Sequence, residues 1–288
     1  MYTYLQPTDD GLPMRPSGAW AAEKLDYLQR YIDVFETSMR EKWPVRYYID
    51  LLAGPGKNHI RETGEILLGS PLLALTTRYP FTGYFFVDFD EDNTRALRER
   101  CRASAHSDQV NVFTGDCNTE IDQVLAQVRP DASRSLNLGF LDSEGLELRW
   151  DTVAKLASLQ RMDLIINYPQ GGLNRVMPQA IQEEGETLVD SFFGGQDWRA
   201  IYHDWLMSRS FNVHWRLLDL YKSKLQAAGY REVKRDDEVG DEPLMRTAKK
   251  NAPLYRLLFA SKHVIGNQFW HAVTRRNVYG QMRLLDSY

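Results

Sequence analysis

Apolar positions recur along the chain in two alternating rhythms. Leu25, Leu28, Ile32 and Phe35 stand three and four apart, which gives a helix from about residue 17 one face to bury. Trp43-Pro44 ends it, because the residue before a proline is pushed out of the helical region. Short runs rich in aromatic and β-branched residues follow at 46–52 (RYYIDLL), 83–89 (GYFFVDF), 110–114, 136–141 and 163–168 (DLIINY). Helical spacing fills the gaps at 70–79, 92–103, 119–128 and 150–159. Runs that are apolar throughout are strands buried on both faces, and strand–helix–strand alternation predicts a parallel sheet covered by helices on each side. Residues 178–228, with Phe192, Phe193, Trp198, Trp205 and Trp215, read as two or three inserted helices forming a lid, a docking surface or part of the core. Two further strands are expected at 230–234 and 255–261, with the charged 235–253 as an exposed connection. No helix separates them, which favours antiparallel pairing. The expectation is one α/β domain over 45–288, preceded by an arm and helix over 1–44. Pro7, Gly11, Pro13, Pro16 and Gly18 make residues 1–18 an irregular arm.

Composition narrows the class. The chain has 288 residues, 43% hydrophobic and 26% charged, which suits a packed soluble domain. A net charge of −4 gives no global field towards nucleic acid but leaves a local basic face open. The two cysteines, Cys101 and Cys117, form neither a zinc pattern nor a disulfide framework, and the six histidines show no metal spacing, so no metal site is expected. No apolar run approaches the roughly 18 residues of a membrane helix, and the N-terminus lacks a signal-peptide pattern; a cytoplasmic location is the expectation. Arg95, Arg98, Arg100 and Arg102 alternate with acids on one helix and read as a solvated face.

Candidate chemistry gathers at the strand ends. The first strand runs into Asp50-Leu51-Leu52-Ala53-Gly54-Pro55-Gly56, where small residues let main chain approach a ligand. A phosphate-binding loop of the Walker type is excluded, since it would need Gly where Leu51 stands and Ser or Thr where Asn58 stands. Asp88 closes the second strand, where a carboxylate accepts from ribose hydroxyls; otherwise it caps the next helix. Asp116, with Cys117, closes the third and is either a ligand group for an exocyclic amine or an N-cap. The fourth strand ends at Asp142-Ser143-Glu144-Gly145, whose two carboxylates suit a general base or a cation, or simply a solvated loop. Asn167, Tyr168 and Arg175, at or beyond the end of the fifth strand, are expected at the same carboxyl edge. Asp142, Glu144, Asn167 and Tyr168 are the candidate catalytic residues.

These positions resemble the Rossmann-like class I S-adenosylmethionine-dependent methyltransferases, whose mostly parallel seven-stranded sheet has its last strand antiparallel. A closer likeness is to the three-Cys-motif partner protein (TcmP) family. It rests on residues 48–56 (YIDLLAGPG), 69–75 (GSPLLAL), Phe86-Val87-Asp88, Leu141-Asp142, Ile166-Asn167, Asn174-Arg175, Phe193-Gly194 with Trp198, and 255–261, and it runs from about residue 20 to the end. The resemblance implies S-adenosyl-L-methionine as cofactor, with Asp50, Ala53, Gly54 and Gly56 around its methionine part. It places Asp88 on the ribose and Asp116 with Cys117 along the adenine. The family tends towards Asp-Pro-Phe-Gly where this chain has Asp142-Ser143-Glu144-Gly145, which sets amine methylation apart from the expectation. A nucleic acid or nucleotide acceptor is expected. The alternative is a non-catalytic cofactor-binding subunit working with a three-Cys-motif, radical-SAM-like partner.

Overall fold

The computed structural model describes residues 3–230, 242–248 and 250–276. Its elements, in chain order, begin with β1 (Arg15–Ser17), α1 (Trp20–Met39), β2 (Val45–Asp50), β3 (Lys57–Ile60), β4 (Ile66–Leu68) and α2 (Ser70–Leu75). There follow β5 (Gly83–Asp88), α3 (Glu91–Arg102), β6 (Val110–Thr114), α4 (Cys117–Val128), β7 (Ser135–Leu141), α5 (Trp150–Ala157) and β8 (Met162–Tyr168). The chain continues through α6 (Gln170–Ala180), α7 (Leu188–Phe193), α8 (Asp197–Ser208), α9 (Val213–Ala227), β9 (Leu244–Arg246), β10 (Pro253–Ala260) and α10 (Val264–Thr274).

The main sheet has seven strands in the order β6-β5-β2-β7-β8-β10-β9. The five strands from β6 to β8 are parallel; β10 runs antiparallel to both β8 and β9. This is the methyltransferase-like arrangement, with the last strand inserted against the grain. The stretch read as an exposed connection differs from expectation, because it holds the strand Leu244–Arg246; the run expected at 230–234 lies outside the described residues after Tyr230.

Strand periodicity sorts the core into two layers. Ile49, Leu51, Phe85, Val87, Leu141, Leu164, Ile166 and Tyr168 pack with α4 to α9. Tyr48, Tyr84, Phe86, Leu138, Phe140, Ile165, Leu257 and Phe259 pack with α1, α2, α3 and α10. The inserted helices belong to the first layer: Phe192, Phe193, Trp198 and Tyr221 are buried, and α7 is fixed by a capping box between Thr187 and Asp190. Their aromatic side chains fill core.

The N-terminal arm is built rather than irregular. β1 pairs parallel with β3, and β3 antiparallel with β4, as a small second sheet beside the turn after β2. Buried Asp10 accepts from Lys57 at 2.7 Å and from Arg100 at 2.7 and 2.9 Å. Arg100 also donates to the carbonyls of Pro13 (2.8 Å) and Pro55 (2.6 Å), and Lys57 to those of Thr3 and Thr8. Arg100 is therefore a buried tie between arm and body, which corrects the solvated-face expectation at that position. Arg95 and Arg102 do stay exposed, paired along their own helix.

Candidate functional site

From β2 the chain winds outward to β5 and β6, and from β7 outward to β8 on the other side, so the crevice at the carboxyl ends of β2 and β7 is the switch point where such sheets take ligands. The turn after β2 depends on glycine. Gly54 and Gly56 have φ of 63° and 93°, and a side chain on Gly56 would press on Leu97 and Leu72 at 3.0 and 3.2 Å. The turn leads into the β3–β4 hairpin, and α2 starts at Ser70, where the helical spacing places it. Ala53 donates its amide to the Val87 carbonyl at 2.8 Å, and Gly69 closes on the Gly56 carbonyl at 2.7 Å.

Asp88 is no helix cap. That role falls to Asp90, whose carboxylate accepts from the amides of Asp92 (2.8 Å) and Asn93 (3.0 Å). Asp88 instead accepts the Gly54 amide on one oxygen at 2.8 Å, and the Asp90 amide and Asn93 Nδ2 on the other, both at 3.0 Å. A carboxylate offers about four lone-pair positions, so one stays open. The next residue, Phe89, is 81% exposed at the same edge, an apolar ring with nothing to bury it. Sequence reasoning passed over it as the last residue of a strand.

Asp50 is fully buried, accepting from Ser70 Oγ at 2.6 Å and from the Leu52 amide at 3.2 Å; burial pushes its carboxyl up to about 7, against those bonds. It ties the start of α2 to the end of β2. Asp116 is the N-cap of α4, accepting the Asn118 amide at 2.9 Å. Cys117 is buried in the first core layer, its thiol pushed up to about 12 by burial and by Asp116.

Asp142 pairs with Lys24 of α1 and accepts Asn167 Nδ2 at 3.0 Å. Burial works to raise its carboxyl, but Lys24, Arg15 and the Asn167 bond outweigh it and hold it below the ordinary value. Arg15 donates through Nε and Nη2 to Glu144 Oε1, each at 2.8 Å. The two carboxylates read as a general base or cation site thus each face a cation of the N-terminal segment. The same guanidinium lies over the glycine turn, 3.8 Å from where a Gly54 side chain would begin.

Asn167 and Tyr168 cannot act together, because neighbours on a strand face opposite ways. Asn167 lines a cavity of about 290 Å³ with Arg15, Trp20, Lys24, Asp142 and Tyr255, on the α1 side. Tyr168 is 0% exposed in the other layer, its ring 5.9 Å from Phe192 and 5.8 Å from Tyr221. The structure brings Asn167 to the site and leaves Tyr168 out. Arg15, Lys24, Phe89 and Tyr255 are the site residues that sequence reasoning missed; the first two come from the arm and helix in front of the sheet, and carry no motif.

No family model and no curated protein matches the chain in sequence. Among solved structures it is similar to a Legionella pneumophila protein of family-model DUF519, with 11% identity, TM-score 0.43, and 62% of this chain and 75% of that chain covered. It is also similar to cofactor-bound Rv0187 from MTB, with 9% identity, TM-score 0.41 and 88% and 84% covered. A third is the StiE O-MT segment, with 10% identity, TM-score 0.31 and 83% and 75% covered. Strand order and register, rather than these likenesses, define the fold. Among the described residues no helix is long and apolar enough to cross a membrane.

Proposed function

We propose that this chain binds S-adenosylmethionine at the carboxyl edge of β2 and β5 and transfers its methyl group to an acceptor held beside Asn167. The observation that carries the reading is the bond from the Gly54 amide to Asp88, which joins a left-handed glycine turn to a strand-end carboxylate with a lone pair to spare. The residues present fit the cofactor. Gly54 and Gly56 offer main chain, Asp88 accepts from ribose hydroxyls, and exposed Phe89 offers a ring for adenine to stack on. The space directly over the turn is only about 20 Å³, because Arg15, Ala21 and Lys24 crowd it. Arg15 is held there by Glu144, whose side chain is 68% exposed, so the carboxylate that would have to let go is already solvated. Displaced from Glu144, the guanidinium is placed to meet a carboxylate, which the amino-acid end of the cofactor carries.

Bound there, the cofactor supplies a methyl group already activated by positive sulfur. The chain's part is alignment and exclusion of water. Asn167 Oδ1, buried and without a partner among the described residues, would accept from the N–H or O–H of the acceptor and orient its lone pair. With the acceptor so held, no residue beside Asn167 would need to take its proton, which would pass to solvent as the methylated acceptor leaves. Asp142, held charged in its pair with Lys24, positions Asn167 rather than taking that proton.

The alternative, a cofactor-binding subunit without transfer activity that works with a three-Cys-motif partner, draws on the same loop, since both its carboxylates are engaged by cations. Calorimetry with S-adenosylmethionine and S-adenosylhomocysteine tests both readings. Micromolar binding of each is expected, and no binding of either removes the cofactor assignment. Binding with no methyl transfer to any nucleotide, nucleic acid or small acceptor favours the subunit.

A further inference from the structure

Three features of the cavity beside Asn167 point beyond the cofactor. The first is charge. Four cations, Arg15, Lys24, Arg61 and Arg175, line it against two carboxylates, Asp142 and Glu144. Lys24 answers Asp142 and Arg15 answers Glu144. Arg61 and Arg175 have no carboxylate partner among the described residues; Arg61 rests only on the Trp20 ring, 5.9 Å from its centre. The second is a helix start. α6 opens at Gln170, no side chain caps it, its first turn holds no acidic residue, and Gly171 and Gly172 of that turn line the cavity. Uncapped amides there favour an anion. The third is a set of unanswered oxygens. Ser143, Asn167 and Tyr255 line the cavity at 0, 3 and 8% exposure, and Ser143 Oγ, Asn167 Oδ1 and the Tyr255 hydroxyl have no hydrogen-bond partner among the described residues. Buried polar atoms are rarely left so, and three in one cavity mark where a ligand's polar groups belong.

We infer that this cavity takes a small organic anion that carries a phosphate or carboxylate at one end and an N–H or O–H nucleophile at the other. The anionic end meets Arg61, Arg175 and the α6 amides, where guanidinium forks and main-chain N–H groups suit such oxygens. The other end donates to Asn167 Oδ1, an obligate acceptor because its Nδ2 is already spent on Asp142 and the Ser143 carbonyl at 3.0 and 2.8 Å. A volume of about 290 Å³ suits a metabolite rather than a duplex. This assignment names the acceptor class for the methyl transfer proposed above and rests on that reading for its role, but not for its binding.

The test is calorimetry on the full chain with nucleoside 5′-monophosphates as the phosphate arm and 4-hydroxybenzoate as the carboxylate arm, each against its uncharged counterpart, the nucleoside or 4-hydroxybenzamide. At least one anion is expected to bind tenfold or more tighter than its neutral counterpart, with affinity falling as salt rises. The exposed-site double variant Arg61→Ala/Arg175→Ala is expected to erase that preference while S-adenosylhomocysteine still binds. Tyr255→Phe is expected to keep thermal stability and weaken the anion at least threefold, a split that a purely structural hydroxyl would not give. Equal binding of anion and neutral counterpart, or a preference that survives the double variant, overturns the assignment even if S-adenosylhomocysteine binds. Arginine-dependent anion binding without any S-adenosylhomocysteine binding leaves the cavity assignment standing and removes the methyltransferase reading.

Discussion

Asp88 and Phe89 are neighbours with opposite demands, one a polar anchor for the glycine turn and the other a large ring left in water. Asp88→Ala removes both the tie to Gly54 and the acceptor for a ribose, so calorimetry with S-adenosylhomocysteine should show at least a tenfold loss. Phe89→Ala touches nothing the fold needs. Its stability should stay within about 0.5 kcal/mol of the parent, as for an exposed substitution, while cofactor affinity drops by the roughly 1–3 kcal/mol that base–aromatic stacking is worth. An affinity unchanged in Phe89→Ala would remove that ring from the site. Tyr168→Phe is the complementary case: it deletes an unpartnered buried hydroxyl, which costs nothing in hydrogen bonds, and turnover should stay at parent level. How far the site could be read follows from these residues. Asp88 and the glycines were legible because a strand end fixes where they stand. Asn167 and Tyr168 looked alike because both close the same strand; alternation puts them on opposite faces, but which face holds the site is set by the layers packed on the sheet. Phe89 gave no signal, since an aromatic residue at the end of a strand is ordinarily core.

The five parallel strands were legible element by element, because each is apolar on both faces and bounded by turn residues; the expected and observed limits of β6 coincide. The arm was not. Its prolines and glycines describe a chain without regular structure, and what organises it is tertiary: Asp10 reaching Lys57 and Arg100, far away in sequence. Buried ion pairs of this kind are expensive to break from one side, because the cations left behind have no answer. Asp10→Ala should therefore cost about 3–5 kcal/mol in denaturant unfolding. Freed from that anchor, the arm should also loosen, opening the bond after Tyr4 to chymotrypsin under native conditions. Parent-like stability and resistance to cleavage would show the arm held without Asp10, by its pairing with β3 and the bonds of Lys57 and Arg100 to its carbonyls. The strand inside the stretch read as an exposed connection escaped notice for a related reason, since Leu244–Arg246 is too short to show a period of two and owes its place to pairing with β10.

At the scale of the molecule, burial of titratable groups makes stability depend on pH in a direction unusual for an acidic protein. Burial pushes the Asp50 carboxyl up to about 7 and that of Asp163 to about 6; Glu36 goes to about 7, burial outweighing its pair with Arg46. Each holds a proton in the folded state through a pH range where the unfolded chain has released it. Stability from these groups is therefore complete at about pH 4 and is lost as pH rises through 6 and 7. His214 opposes them. Burial, with Arg256 nearby, lowers it to about 4, so the unfolded chain takes up that proton first as pH falls and stability shrinks below about pH 6.5. Three carboxyls against one imidazole leave the folded state holding the larger share of protons. Unfolding free energy from urea titrations should fall by roughly 4 kcal/mol between pH 5 and pH 7.5. Asp50→Asn keeps the acceptor for Ser70 but cannot ionise, and should flatten that slope by about 1.4 kcal/mol per pH unit over the range where Asp50 alone would titrate. A parent slope that is flat or rising, or a slope in the Asp50→Asn variant equal to the parent's, would mean that Asp50 is charged at neutral pH. In that case the buried end of β2 carries a negative charge directly beneath the glycine turn, and the turn would bind the cationic sulfonium more tightly than its neutral demethylated product.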